Sequence, residues 1–79
     1  MTGMKQLVED IAKALVDTPG EVSVNAIEGE QTTVFELKVS PDDIGKVIGK
    51  QGRTARSIRT LLSAASMKYN HKFTLEILE

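Results

Sequence analysis

Cysteine and tryptophan are absent from this 79-residue chain, and histidine, tyrosine and phenylalanine together supply only four residues. Without cysteine there is no disulfide and no thiolate metal site. The one histidine, His71, has no carboxylate at a ligand spacing, so no metal and no cofactor are expected; His71 reads as the approach to the last strand. With so few rings, a sheet that stacks bases on exposed aromatic pairs is excluded. Phe35 and Phe73 fall on apolar strand faces and are expected in the core, and Tyr69 as a packed ring with its hydroxyl in water. No apolar run approaches the length of a membrane span, and Met1–Lys5 do not begin a leader peptide. The expected setting is the cytoplasm, with no membrane contact. A single domain over residues 1–79 is the only sensible count, and one this small buries about 60% of its unfolded surface, leaving it marginally stable without a partner.

Catalytic patterns are missing as well. Asp42 and Asp43 are adjacent and suit a helix start better than an acid–base pair. No serine or threonine stands at a motif spacing from a histidine base, and neither phosphate-binding glycine pattern of nucleotide enzymes occurs. The chain reads as a non-enzyme.

The net charge of −1 conceals a strong asymmetry. Residues 1–43 carry three bases and nine acids, whereas residues 44–75 carry Lys46, Lys50, Arg53, Arg56, Arg59, Lys68 and Lys72 and no acid. Such a division suits one face for an anionic ligand and another kept soluble by carboxylates.

Periodicity orders the chain as helix, strand, strand, helix, helix, strand. Over residues 3–17, Met4, Leu7, Val8, Ile11 and Leu15 form one helical stripe, ended by Asp17-Thr18-Pro19-Gly20. Val22, Val24 and Ala26 alternate with polar residues, as do Phe35, Leu37 and Val39, and the polar Glu28–Gln31 link makes the pair an antiparallel hairpin. Ser40-Pro41-Asp42-Asp43 predicts a helix start capped by Ser40, running to Val47. A longer helix is expected from Arg53 to about Lys68 on the stripe Ala55, Ile58, Leu62 and Ala65, stopped at Asn70. A strand from Lys72 to Leu78 closes the chain. The expected class is α+β: two layers, a three-stranded mixed sheet with the helices on one face.

The segment Val47-Ile48-Gly49-Lys50-Gln51-Gly52-Arg53 carries the chemistry. Two glycines between helices let the backbone turn sharply and approach a ligand. The following helix offers unpaired amides and partial positive charge, and Lys46, Lys50, Arg53 and Arg56 surround it. Phosphate is the natural ligand, against the plainer reading of a tight interhelical turn.

This loop and the basic helix after it resemble the KH domain, and the αββααβ order matches its type II arrangement. The stretch from Ile44 to Leu62, within a chain of this length, is similar to the small single-KH bacterial KhpA family. That resemblance implies single-stranded RNA binding by a chaperone or post-transcriptional regulator. It also implies a homodimer, or pairing with a larger multidomain KH protein of the KhpB/Jag type.

Carried over by position, Gly49 and Gly52 shape the clamp and Lys50 and Gln51 face the RNA backbone. Ile44, Val47 and Ile48 form one groove wall above Ala55 and Ile58, and Phe35–Val39 forms the other. Ala55 stands where many KH domains carry a larger aliphatic residue, which would widen the groove floor. Arg53 and Arg56 contact phosphate or sugar, as does Lys46; for Arg59, contact and solvation both stay open. Three to five neutralised phosphates would give a log K against log salt slope of roughly −2 to −3.5. A KH-like module for protein association, and binding of single-stranded DNA, are the competing readings.

Overall fold

The computed structural model describes residues 2–79; Met1, which the leader and domain-span expectations include, lies outside it. Three helices and three strands follow in the expected order: α1 (Thr2–Leu15), β1 (Ser23–Glu28), β2 (Thr32–Lys38), α2 (Ile44–Ile48), α3 (Arg53–Tyr69) and β3 (Lys72–Ile77), with short 3₁₀ turns at Pro19–Glu21, Pro41–Asp43 and Lys50–Gly52. The sheet order is β1-β2-β3, with β1 antiparallel and β3 parallel to β2. This is the mixed α+β sheet expected from the two-helix return.

Phe35 and Phe73 stack with ring centroids 6.0 Å apart, and around them Leu37, Val8, Ala12, Val47, Ile58 and Leu62 close one core between sheet and helices. Tyr69 sets its ring edge-on to Phe73 and stays half exposed. α3 ends where expected, with Asn70 in the left-handed region (φ 52°).

Local details depart from expectation. α1 buries Val8, Ala12 and Val16, while Leu7 and Leu15 are 43% and 38% exposed. The buried stripe is therefore rotated from the expected one, with the small Ala12 fully enclosed in the core between Val8 and Val16 on that face. β1 begins one residue later and runs two residues further than the Val22–Ala26 alternation, since Ile27 and Glu28 complete the ladder opposite Val34 and Thr33. Ser40 makes no side-chain cap; its carbonyl accepts the Asp43 N–H at 2.8 Å.

Candidate nucleic-acid interface

α2 ends abruptly at Ile48, and the loop that follows is held in one shape. Gly49 has φ 78°, and a Cβ there would lie 2.1 Å from Thr54 Oγ1 and 2.9 Å from the Thr54 nitrogen. Glycine is required at this position by conformation and by space. Gly52 also has positive φ, 74°, but faces open space, so conformation alone selects it. Between them Gln51 sits at φ 57°, a left-handed geometry uncommon for its side chain.

The loop's own bonds decide which donors remain. Gly49 N–H reaches Gly45 C=O, Gly52 N–H reaches Gly49 C=O, and Arg53 N–H reaches Lys50 C=O. The amides of Lys50 and Gln51 have no protein acceptor among the described residues. The two middle loop residues thus supply donors ahead of the second helix, where the expectation placed them; the Arg53 amide of that helix is already engaged. Lys50, Arg53 and Arg56 are exposed, and no described carboxylate lies within ion-pair distance of any of them.

Lys46 differs. Its ammonium lies 3.1 Å from Asp17 Oδ2 and 3.5 Å from Asp43 Oδ1. The hydrogen bond and charge of Asp17 raise its pKa above the ordinary lysine value. Asp43 is almost fully buried, and its Oδ2 accepts the Thr18 N–H at 3.0 Å. Burial pushes the Asp43 carboxyl up, but the Thr18 and Asp17 backbone N–H groups and the Lys46 charge outweigh it, leaving its pKa below the usual value. Asp17, Asp43 and Lys46 tie the end of α1 to the start of α2.

A groove of about 320 Å³ opens beside the loop, lined by Ile48, Gly52, Ala55 and Arg59 on the helical side and by Leu75, Glu76, Ile77 and Glu79 opposite. Its second wall is β3, not the Phe35–Val39 strand expected. β2 is the central strand, so its backbone groups bond to neighbours on both sides. β3 is an edge. The bonds Lys72 N–H to Gln31 C=O and Leu78 N–H to Leu37 C=O turn its even-numbered residues toward β2. Residues 73, 75 and 77 therefore present their backbone groups outward. Ser66 Oγ accepts the Phe73 N–H at 2.8 Å, and Arg59 Nη2 donates to Leu75 C=O at 3.4 Å. The Leu75 and Ile77 amides stay open.

Of the expected site residues, Ile48 and Gly52 line the groove; Gly49, Lys50, Gln51 and Arg53 adjoin them in the chain, and Arg56 follows Gly52 by one turn of α3. Val47 is fully buried and backs the helix from the core without lining the groove. Ile44 lies in a different recess, with Val39, Pro41 and Leu78. Ala55, Arg59, Leu75, Glu76, Ile77 and Glu79 complete the groove. The three from β3 were missed because alternation reveals which residues face the core but not which strand lies at the edge. His71 accepts or donates a 2.7 Å hydrogen bond with buried Thr33, fixing the approach to β3. Among the described residues no cluster of His, Cys, Asp or Glu could hold a metal ion, and no helix is long and apolar enough to cross a membrane.

Comparison with known proteins gives a consistent match. The family model for the KH domain of KhpA/KhpB matches residues 5–77. The chain is 57% identical over 75 residues to the RNA-binding protein KhpA of Clostridium acetobutylicum, covering 95% of this chain and all of the relative. It is 53% identical to that of Aquifex aeolicus over the full length of both. Among solved structures, a crystal structure of Aquifex aeolicus Era superposes with TM-score 0.61 at 20% identity, covering 94% of this chain and 29% of Era. Era in complex with MgGDPNP and nucleotides 1506–1542 of 16S ribosomal RNA gives 0.62, also at 20% identity, over 94% of this chain and 28% of Era. The Era likeness is one of fold, over less than a third of that protein.

Proposed function

The chain belongs to the KhpA/KhpB family of KH-domain proteins, and from that premise we propose that it binds single-stranded RNA at the glycine loop and the groove beside it. One coincidence carries the reading: two acceptor-less amides and the exposed cations Lys50, Arg53 and Arg56, none with a described carboxylate partner, lie in the loop and first helical turns beside a groove that joins the apolar Ile48, Ala55, Leu75 and Ile77 with Arg59, Glu76 and Glu79 and has a free strand edge. A KH groove takes about four nucleotides and clamps their backbone at the loop. We assign phosphate to the Lys50 and Gln51 amides, and phosphate or sugar to Arg53 and Arg56. The bases lie over Ile48 and Ala55, where the Leu75 and Ile77 N–H groups reach their edges. Ile44 and Val47 support the wall from behind, and Lys46 fixes α2 without touching RNA. The relatives' shared designation as RNA-binding proteins supports RNA over DNA.

In this reading the whole chain is one KH domain, a cytoplasmic RNA chaperone or post-transcriptional regulator without catalytic activity. It works as a homodimer or beside a larger KhpB/Jag-like protein. Leu61, 53% exposed on α3, and Leu7 and Leu15 on α1 supply apolar surface for such pairing.

The test spoils the clamp while keeping the fold. Lys50→Asp with Gln51→Asp replaces a cation and a neutral side chain by two carboxylates, and aspartate tolerates the left-handed geometry at 51. The circular dichroism spectrum should be unchanged and affinity for a short oligoribonucleotide lost. Wild-type affinity in this variant would refute the assignment.

A further inference from the structure

Three hydroxyls of α3 are satisfied by the helix that carries them. Ser57, Thr60 and Ser66 donate to the carbonyls four residues back, at 2.9, 2.9 and 2.8 Å. Thr54, in the first turn, does not. The carbonyl four residues before it is that of Lys50, which already accepts the Arg53 N–H. The half-buried Thr54 hydroxyl has no hydrogen-bond partner among the described residues. Its place is set by Gly49: a Cβ there would fall on the Thr54 hydroxyl and 2.6 Å from the Thr54 Cβ. The side chain that position 49 lacks is therefore the space that the hydroxyl fills. Thr54 Oγ1 lies within about 4 Å of the Gly49 Cα. The next two residues of the loop are Lys50 and Gln51, whose amides also lack an acceptor.

We propose that the Thr54 hydroxyl is a third donor of the clamp, giving its proton to an oxygen of the phosphate that the Lys50 and Gln51 amides hold. This rests on the RNA-binding reading above and adds a residue to it. Serine and threonine side chains are regular donors to phosphate oxygens in nucleic-acid complexes. A phosphate presents several acceptor oxygens, so one can meet the amides while another takes the hydroxyl. The amides are fixed by the backbone, whereas the hydroxyl proton rotates about its C–O bond to follow the acceptor. A neutral donor also adds affinity without releasing a counterion, so it leaves the salt dependence to the lysine and arginines. Packing is the plainer role: the branched carbon of Thr54 would fill the loop and its oxygen would be incidental. The two roles differ in which atom of the side chain RNA binding needs.

The experiment compares Thr54→Ser and Thr54→Ala with the wild-type chain, titrating each with a uridine tetranucleotide by NMR. Both variants lack the threonine methyl group and differ from each other by one oxygen. Their thermal midpoints should lie together, so stability cannot separate them. The serine variant should bind within about twofold of wild type and the alanine variant about tenfold more weakly. The salt slope should be the same for all three chains. Tetranucleotides with a neutral methylphosphonate at one linkage at a time then locate the contact. At the clamped linkage the wild-type and serine chains should lose more affinity than the alanine chain, which has no hydroxyl to leave without its acceptor. Equal affinity of the serine and alanine variants overturns the hydroxyl contact, as do equal losses by all three chains at every linkage. Either result leaves the amide clamp standing. No binding of the unmodified tetranucleotide by the wild-type chain removes the RNA reading itself.

Discussion

α2 and the loop after it hold cations that a residue count treats alike and the fold treats in opposite ways. In the middle of α2 the partly exposed Lys46 pairs with Asp17 and Asp43, and its charge ties the end of α1 to α2. Beyond its end Lys50 and Arg53 meet no described carboxylate, and the backbone between them is turned outward by positive φ angles. The first cluster satisfies itself, while the second leaves donors and charge for something outside the chain. A basic segment is evidence for an anion only where its charges lack internal partners, and here one helical turn separates the two situations.

The sharpest way to break this contrast is through the shape of the loop. Gly49→Ala would combine a left-handed alanine with a clash against the Thr54 backbone and side chain. It should destabilise the fold by about 2–4 kcal/mol, read as a fall in the urea midpoint. Gly52→Ala meets open space and should cost only about 1 kcal/mol, for its φ alone. Equal effects at the two positions would mean that Thr54 gives way and the loop is not held as described.

Charge comes next. Arg53→Gln with Arg56→Gln should weaken RNA binding about tenfold and flatten the salt slope by about 1.4, with the thermal midpoint unmoved. Lys46→Gln should do the reverse, lowering the thermal midpoint while leaving RNA affinity and slope alone. A loss of slope in the Lys46 variant would restore it to the interface.

Lys46 also marks where sequence reading stops. The helix–strand order, the mixed sheet, the loop between two helices and the Asn70 stop follow from periodicity and turn chemistry, which are local. Lys46 was expected at the RNA from its nearest bases in sequence, and what the sequence did not reveal is its pairing with carboxylates. Its partner Asp17 lies 29 positions away, and no spacing rule reaches that far. The β3 wall was missed for a similar reason: β2 and β3 show the same alternation, and only the pairing order makes one of them an edge. Leu7 entered the expected α1 stripe on helical spacing alone, whereas the face the core covers carries Val8, Ala12 and Val16.

Acid titration separates the two clusters again. The folded-state pKa of Asp43 is lowered, so its contribution is present above the ordinary carboxylate value of 3.8 and is lost as pH falls through the lower folded value. Asp43→Asn keeps a carbonyl oxygen for the Thr18 N–H but removes this proton linkage. Its thermal midpoint should fall less steeply than wild type on acidification, and RNA affinity at neutral pH should not change. Lys46 acts with the opposite sign: its raised pKa makes its contribution present below 10.5 and lost as pH rises beyond it. An acid limb identical in Asp43→Asn and wild type would show that the buried carboxylate does not link α1 to α2 through its charge.

The smallest expected effect concerns Gln51, a non-glycine residue kept at φ 57° between two glycines. Gln51→Asn should raise stability by about 0.5–1 kcal/mol, because asparagine accepts left-handed geometry without widening the unfolded ensemble. Gln51→Gly relieves the same strain but adds freedom to both states, so its net stability change should stay within about 0.5 kcal/mol. If the outward amides matter because they are already in place, the glycine variant should bind RNA a few-fold more weakly and the asparagine variant as well as wild type. Both variants present the same backbone amides at the loop and differ in how firmly those amides are held. Weaker binding by the asparagine variant would instead give the Gln51 side chain a direct part in recognition.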